Sequence, residues 1–220
     1  MSTNTVWLAG GSGLVGGELL KKLLADSAFG RVCAVGRRTR SLQHLKLTQA
    51  TVDLADPASF AALAKLPEPD AAFSCLGTTI KKAGSQEAFR AVDHDAVLTF
   101  ARAARGRGAR AFLHVTSAGA DSRSRFFYQA VKGQVEEALI PLGFESLVAL
   151  RPSILDGDRE DSRPLEKLGL SIGRTLGPLL GKYRPTPASA VAAAMVDAWK
   201  SGKRGVQTLE AGEIWDRFAT

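Results

Sequence analysis

The sequence predicts an α/β protein: a single doubly wound parallel sheet with helices on both faces and a small insertion toward the carboxyl end that walls the substrate side. Three observations carry this. Short runs rich in β-branched residues alternate with helical stripes through most of the chain, a glycine-rich corner joins the first run to the first stripe, and the alternation breaks off between Leu155 and Pro187. Strands apolar on both faces imply a parallel sheet covered on two sides, and ligands of that architecture lie at the carboxyl ends of the strands.

In chain order the expected strands are Thr5–Gly10, Arg31–Gly36, Ala50–Leu54, Asp70–Cys75, Ala111–Ser117 and Ser146–Arg151, with a candidate last one at Gly205–Leu209. Helical stripes fall between them. Val15, Leu19, Leu23 and Leu24 follow the glycine corner, Phe89, Val92, Ala96 and Phe100 form a second stripe, and Val131, Val135 and Leu139 a third. From Leu155 to Pro187, glycine, proline and charged residues replace the alternation, and loops of that length in a compact domain are usually lids or substrate walls. The helix expected at Ala188–Lys200 carries Val191, Met195 and Ala198 or Trp199, a stripe suited to core packing. Residues 1–220 read as one domain with 155–187 inserted on its substrate side.

Composition narrows the function classes. At 220 residues with 45% hydrophobic side chains, the chain can bury one core of ordinary size. No stretch joins a basic flank to an apolar segment, and no window approaches the roughly 18 uninterrupted apolar residues of a spanning helix, so the expectation is a cytoplasmic protein without a membrane partner. Cys33 and Cys75 fall in expected buried strands, where a thiol packs as a small hydrophobe rather than reacting. The net charge of +7 raises the question of nucleic acid, but the arginines are scattered rather than interleaved with aromatics. An anionic small ligand suits the same charge, and no nucleic-acid partner is expected.

The corner itself reads TVWLAGGSGLVGGELLKKLL from Thr5, with Gly10, Gly13 and Gly16 in G-x-x-G-x-x-G spacing. In a strand–turn–helix setting, such glycines let a pyrophosphate rest on the helix N-terminus, which makes Gly10, Gly11, Ser12, Gly13, Leu14, Val15 and Gly16 the candidate phosphate loop. A dinucleotide site without a 2′-phosphate normally ends its second strand on Asp or Glu; here that strand ends Gly36-Arg37-Arg38. Guanidinium groups favour a 2′-phosphate through bidentate hydrogen bonds, so the expected cofactor is NADP(H). Asp53-Leu54 is placed to edge the adenine, although Asp53 could equally cap a helix starting at Pro57.

Tyr128 and Lys132 form Y-x-x-x-K, and at i, i+4 on a helix the two project on one face. The hydroxyl pair Thr116-Ser117 closes the preceding strand. A phenol of ordinary pKa near 10 exchanges protons poorly at neutral pH, while a neighbouring ammonium favours the phenolate and brings it toward working range. Ser117 would hold the substrate oxygen. Asp93, His94 and Asp95 are consecutive and point in different directions on a helix, so no metal site is expected. His44 and His114 are isolated and receive no role.

These motifs resemble the short-chain dehydrogenase/reductase superfamily, and within it the atypical branch of the Tat-interacting, metastasis-suppressor type. Beyond GGSGLVG, the likeness rests on VGRR at Val35–Arg38, CLGTTIKKAG at Cys75–Gly84, FRAVDHDAV at Phe89–Val97, TSAGADS, YQAVKGQVE, and RPSILDGDREDSRP from Arg151. The resemblance implies a Rossmann fold, bound NADP(H), and Ser117, Tyr128 and Lys132 in the catalytic roles. It also implies Leu76-Gly77-Thr78 running under the cofactor, with Arg151 and Pro152 beside it. Two positions depart from the pattern: Asp93 stands where many relatives place an asparagine, and Cys75-Leu76-Gly77 replaces the usual Asn-Ala-Gly. The implied activity is reduction of a carbonyl or oxidation of an alcohol on a small substrate. The second class is a regulatory, NADPH-sensing protein that binds a protein partner.

Overall fold

The computed structural model describes residues 4–156 and 184–219. The insertion expected at 155–187 therefore lies outside the described residues except at its two ends. Strand β1 (Thr5–Ala9) is central because all five residues are buried. Val6 and Leu8 enter one core and Trp7 and Ala9 the other, so the strand is covered on both faces. The chain continues through α1 (Leu14–Ala25), β2 (Arg31–Gly36), β3 (Leu47–Thr51), α2 (Ala61–Ala64), β4 (Ala71–Ser74), α3 (Ile80–Ala83), α4 (Gln86–Arg90), α5 (Ala96–Gly106), β5 (Ala111–Val115) and α6 (Phe127–Leu139). It closes with β6 (Ser146–Arg151), β7 (Leu155–Asp156), β8 (Thr186–Pro187), α7 (Ala188–Lys200), β9 (Gly205–Glu210) and α8 (Ala211–Phe218).

Seven strands form one sheet in the order β3-β2-β1-β4-β5-β6-β9, and every pairing is parallel. The winding reverses between β1 and β4, which opens a crevice at their carboxyl ends. One face of the sheet packs on α1 and α7, the other on α2, α5 and α6. The stripes account for this: α1 buries Val15, Leu19, Leu20, Leu23 and Leu24, and α7 buries Val191 and Met195. Phe29 joins the layers, its ring 4.6 Å from Trp199 of α7 and 6.4 Å edge-on from Phe73 of β4.

Three sequence readings are corrected. The third strand was expected at Ala50–Leu54 and lies at Leu47–Thr51; Val52 and Leu54, the apolar residues that suggested the later position, are buried just beyond it in the α2–α5 core. The stripe expected through Val92 is filled by Asp93 instead: Val92 is half-buried and Asp93 buried, on a π turn at Ala91–Asp95 between α4 and α5. Asp53 does not cap the helix at Pro57: the Asp56 carboxylate accepts from Ala58 N there, while Asp53 accepts from Ala55 N within its own turn.

Candidate functional site

At the crevice, Gly10 has φ +81°, and a Cβ there would stand 2.5 Å from the carbonyl of Cys75. A Cβ on Gly16 would stand 2.1 Å from the Gly10 oxygen. Two of the three glycines therefore let the turn pack against the protein's own backbone. Gly13 is the exposed one; it forms the N-cap of α1 in an extended conformation, with no side-chain cap on the helix's first N–H groups. Hydrogen bonds from Gly13 N to Gly10 O (2.9 Å) and Gly17 N to Gly13 O (2.8 Å) hold it there. An uncapped helix N-terminus opening beside exposed Ser12 and Gly13 suits a phosphate. Val15 and Leu14 send their side chains toward the α1 core, so this part of the loop has backbone to offer a ligand.

Arg37 and Arg38 follow β2, exposed, and among the described residues neither has a hydrogen bond or ion pair. Arg40, the third arginine of this stretch, reaches back to the glycine turn: its Nη1 donates to Gly11 O at 2.9 Å. The side chain of Gln49 clamps Arg40, accepting from its N–H (2.7 Å) and donating to its carbonyl (2.9 Å). The sequence signal was a third arginine two positions after the pair. Asp53 is exposed, whereas Leu54 is buried with Val52 and Leu63.

On the other side of the crevice, α6 carries Tyr128 and Lys132. The phenol ring is 36% exposed and packs on Phe89 at 5.4 Å, and the Lys132 Nζ lies 5.9 Å from its centroid. Lys132 is buried, and its ammonium meets Asp93 Oδ1 at 2.7 Å. Asp93 Oδ2 accepts from Thr78 N at 2.8 Å, and Gly77 lies beside the pair, where a Cβ would be in ordinary contact 3.4 Å from Asp93 Oδ1. Burial pushes the Asp93 carboxyl above its usual range against the downward pull of Lys132 and the Thr78 N–H. An acid in a stripe that otherwise buries Phe89, Ala96 and Phe100 was the signal for Asp93.

Ser117 lies half-buried two residues beyond β5, its Oγ 3.4 Å from the Ala118 carbonyl. Hydrogen bonds from Thr116 N to Leu150 O and from Ala118 N to Pro152 O, both 2.8 Å, zip this segment to the end of β6 and set Pro152 beside it. The following loop rests on α6 at Gly133, where a Cβ would meet Ser122 N at 2.1 Å. Ser74 Oγ and Thr116 Oγ1, at the ends of β4 and β5, are buried without a hydrogen-bond partner. Arg151 is engaged elsewhere: Glu136 holds it through two bonds (Nε to Oε1, 3.1 Å; Nη2 to Oε2, 2.5 Å) and Glu210 through one (3.1 Å), which raises its pKa. With His114, Gly133, Val206 and Thr208, it lines a cleft of about 300 Å³ between α6 and the β6–β9 edge. Burial pushes the Cys33 thiol up to about 11 and that of Cys75 to about 12, which leaves both unreactive. Among the described residues no group of three His, Cys, Asp or Glu is placed to hold a metal.

Residues 10–168 match a family described as NAD(P)H-binding. The chain is similar to the protein fmp52, mitochondrial, of Emericella nidulans, 38% identical over 219 residues that span 96% of this chain and 93% of that protein. It is also similar to the Candida albicans protein FMP52, mitochondrial, at 32% identity over 91% of this chain and 90% of the relative. Among solved structures, MoeE5 in complex with UDP-glucuronic acid and NAD aligns with TM-score 0.73 at 20% identity, covering 95% of this chain and 76% of that one. A Helicobacter pylori ADP-L-glycero-D-manno-heptose-6-epimerase aligns at 0.71 and 20%, covering 97% and 80%. At such identities the structural likeness establishes the Rossmann-like fold. The cytoplasmic expectation is overturned by the relatives, whose names place them in mitochondria. That no described helix is long and apolar enough to cross a membrane does not bear on mitochondrial residence.

Proposed function

The chain belongs to the NAD(P)H-binding family whose residues it matches from 10 to 168, and from that premise we propose an NADP(H)-dependent oxidoreductase that interconverts a carbonyl and an alcohol on a small substrate. The observation that carries this is the buried Lys132 ammonium beside the Tyr128 ring, at the same sheet edge as the glycine corner. Residues 1–220 act as one domain in this reading. The finer likeness to the Tat-interacting type of NADP-binding protein belongs to it as well.

The residues fit the cofactor. The uncapped start of α1 would hold the pyrophosphate, Arg37 and Arg38 the 2′-phosphate with bidentate donors, Asp53 and Leu54 the adenine end, and Leu76-Gly77-Thr78 with Pro152 the other half of the dinucleotide. Arg151, held by Glu136 of α6 and Glu210 of β9, ties those two elements together rather than reaching the ligand. The bound dinucleotide supplies or takes up the hydride. Ser117 donates a hydrogen bond to the substrate oxygen and fixes its position. Tyr128 donates the proton to that oxygen in reduction and removes it in oxidation. Lys132 stabilises the phenolate through its charge.

Tyr128→Phe keeps the ring against Phe89 and removes the proton donor. NADPH affinity is expected to stay near wild type while turnover across a panel of aldehydes, ketones and alcohols falls roughly 10²–10⁴-fold. A second reading, an NADPH-sensing protein without turnover that answers to a protein partner, is favoured by the prior engagement of Lys132 with Asp93. It replaces the first if the wild type turns over nothing in the panel yet binds a protein partner differently when NADPH is added.

A further inference from the structure

Single exposed apolar side chains are ordinary on a protein surface, whereas a cluster of them beside a candidate site is not. Among the described residues eight large hydrophobic side chains are exposed, and four of these, Ile80, Phe126, Tyr128 and Ile154, stand on the segments that follow β4, β5 and β6. Those strands are neighbours in the sheet, so the three segments leave its carboxyl edge within about 10 Å of one another. Phe126 is 73% exposed, Ile154 65% and Ile80 38%. Each lies two residues from a candidate site residue: Ile80 beyond Thr78, Phe126 before Tyr128, and Ile154 beyond Pro152, whose carbonyl holds Ala118 next to Ser117.

The backbone of each is pinned, so this exposure is not fraying. Ile80 opens α3 behind Thr79, whose Oγ1 accepts from Lys82 N at 3.1 Å; Phe126 N donates to Ser124 Oγ at 3.2 Å; and Ile154 O accepts from Thr186 N at 2.8 Å. Ser124 Oγ in turn donates to Gln129 Oε1 at 3.0 Å, and Ser153 Oγ donates to Arg184 O. Three hydroxyls of these segments are thereby committed to the protein itself, while the apolar side chains face out. Exposed Lys81 and Arg125, next to Ile80 and Phe126 in the chain, carry aliphatic stems that add to such a surface and leave their charges in water.

We propose that the carbonyl compound taken by this site has an extended apolar body, which lies on Ile80, Phe126 and Ile154 while its reacting oxygen meets Ser117 and Tyr128. The inference rests on the function proposed above. A polyhydroxylated substrate of the same length would give up hydrogen bonds to water against these side chains and receive none in return. An aliphatic one gains up to about fourfold in affinity for each methylene it covers, which sets the scale of the effect.

The test compares straight-chain aldehydes from butanal through octanal with polyhydroxylated aldehydes of matching length as substrates, and titrates the corresponding primary alkanols calorimetrically into protein with NADPH present. For the wild type, kcat/KM is expected to rise roughly 2–4-fold per added methylene, with the same progression in alkanol affinity. Phe126→Ser combined with Ile154→Ser should cut that progression to about 1.5-fold or less per methylene. NADPH affinity and melting temperature should stay near wild type, since both side chains are exposed and neither belongs to the dinucleotide site. Rates and affinities indifferent to chain length, a preference for the polyhydroxylated aldehydes, or a progression untouched by the two substitutions would overturn the proposal; turnover in any of these cases leaves the oxidoreductase reading standing. A double variant that melts several degrees lower also overturns it, because the patch then serves the protein's own packing. A wild type that turns over no aldehyde yet binds alkanols with a progression lost in the double variant sinks the proposed function and keeps the apolar ligand site. Neither turnover nor alkanol binding sinks both.

Discussion

His114 sits 2% exposed on β5, its ring tilted 32° to that of Phe112 with centroids 6.2 Å apart. Burial, followed by the fields of Lys132 and Arg151, pulls its pKa from 6.5 down to about 3. The unfolded chain therefore binds a proton that the native state refuses between those two values. Stability from the neutral imidazole is complete above pH 6.5 and is lost as pH falls toward 3, a swing on the order of 4 kcal/mol. His114→Gln should flatten the fall in melting temperature between pH 7 and pH 4, and parallel wild-type and variant curves would refute the assignment. Nothing in the local pattern marks this residue beyond its place in a strand, because desolvation depends on what α6 and β6 bring over it. Tyr128 and Lys132 were readable because their spacing is set by one helix. Asp93 and Arg40 act across the fold, on Lys132 and on Gly11, and no local pattern announces such partners.

At the scale of elements, the glycine corner was read as room for a ligand, and two of its glycines turn out to make room for protein. Gly16→Ala would drive a methyl to 2.1 Å from the Gly10 oxygen, where no flexible side chain can yield, whereas Gly13→Ala meets the same oxygen at 3.3 Å. Gly16→Ala should therefore lower the melting temperature by several degrees, with a loss above roughly 2 kcal/mol, and abolish dinucleotide binding. Gly13→Ala should melt within about 0.5–1 kcal/mol of wild type and weaken binding alone. Equal melting temperatures for the two variants would contradict the packing argument. Strand β3 and the stripe from Phe89 to Phe100 depart from their sequence readings for a common reason. Val52 and Leu54 are buried although they follow the strand, and Asp93 is buried although it is an acid, so in both places burial and hydrophobic pattern part company.

For the whole molecule, alternation of strands and stripes sufficed to name a doubly wound parallel sheet, while the attachment of β9 beside β6, six residues in register from Ser146↔Gly205 to Arg151↔Glu210, depends on pairing that periodicity does not encode. The net charge of +7 is likewise a property of the whole chain, and it acts on a dinucleotide in a different way from the two arginines after β2. A diffuse positive field raises the association rate of any anion and is screened once the Debye length shrinks to about 10 Å near 0.1 M salt. In the function proposed above, Arg37 and Arg38 would act at contact range on the single phosphate that distinguishes NADPH from NADH. Arg37→Ala with Arg38→Ala should thus erase most of the NADPH-over-NADH margin in equilibrium titrations. Both dinucleotides should still associate more slowly as salt rises from about 0.01 to 0.3 M, because the rest of the excess charge remains. Stopped-flow fluorescence on the wild type and the double variant separates the two contributions. A margin that survives the substitutions would remove the arginines from the 2′-phosphate site, and association rates indifferent to salt would show that the chain's excess charge does not steer its ligand.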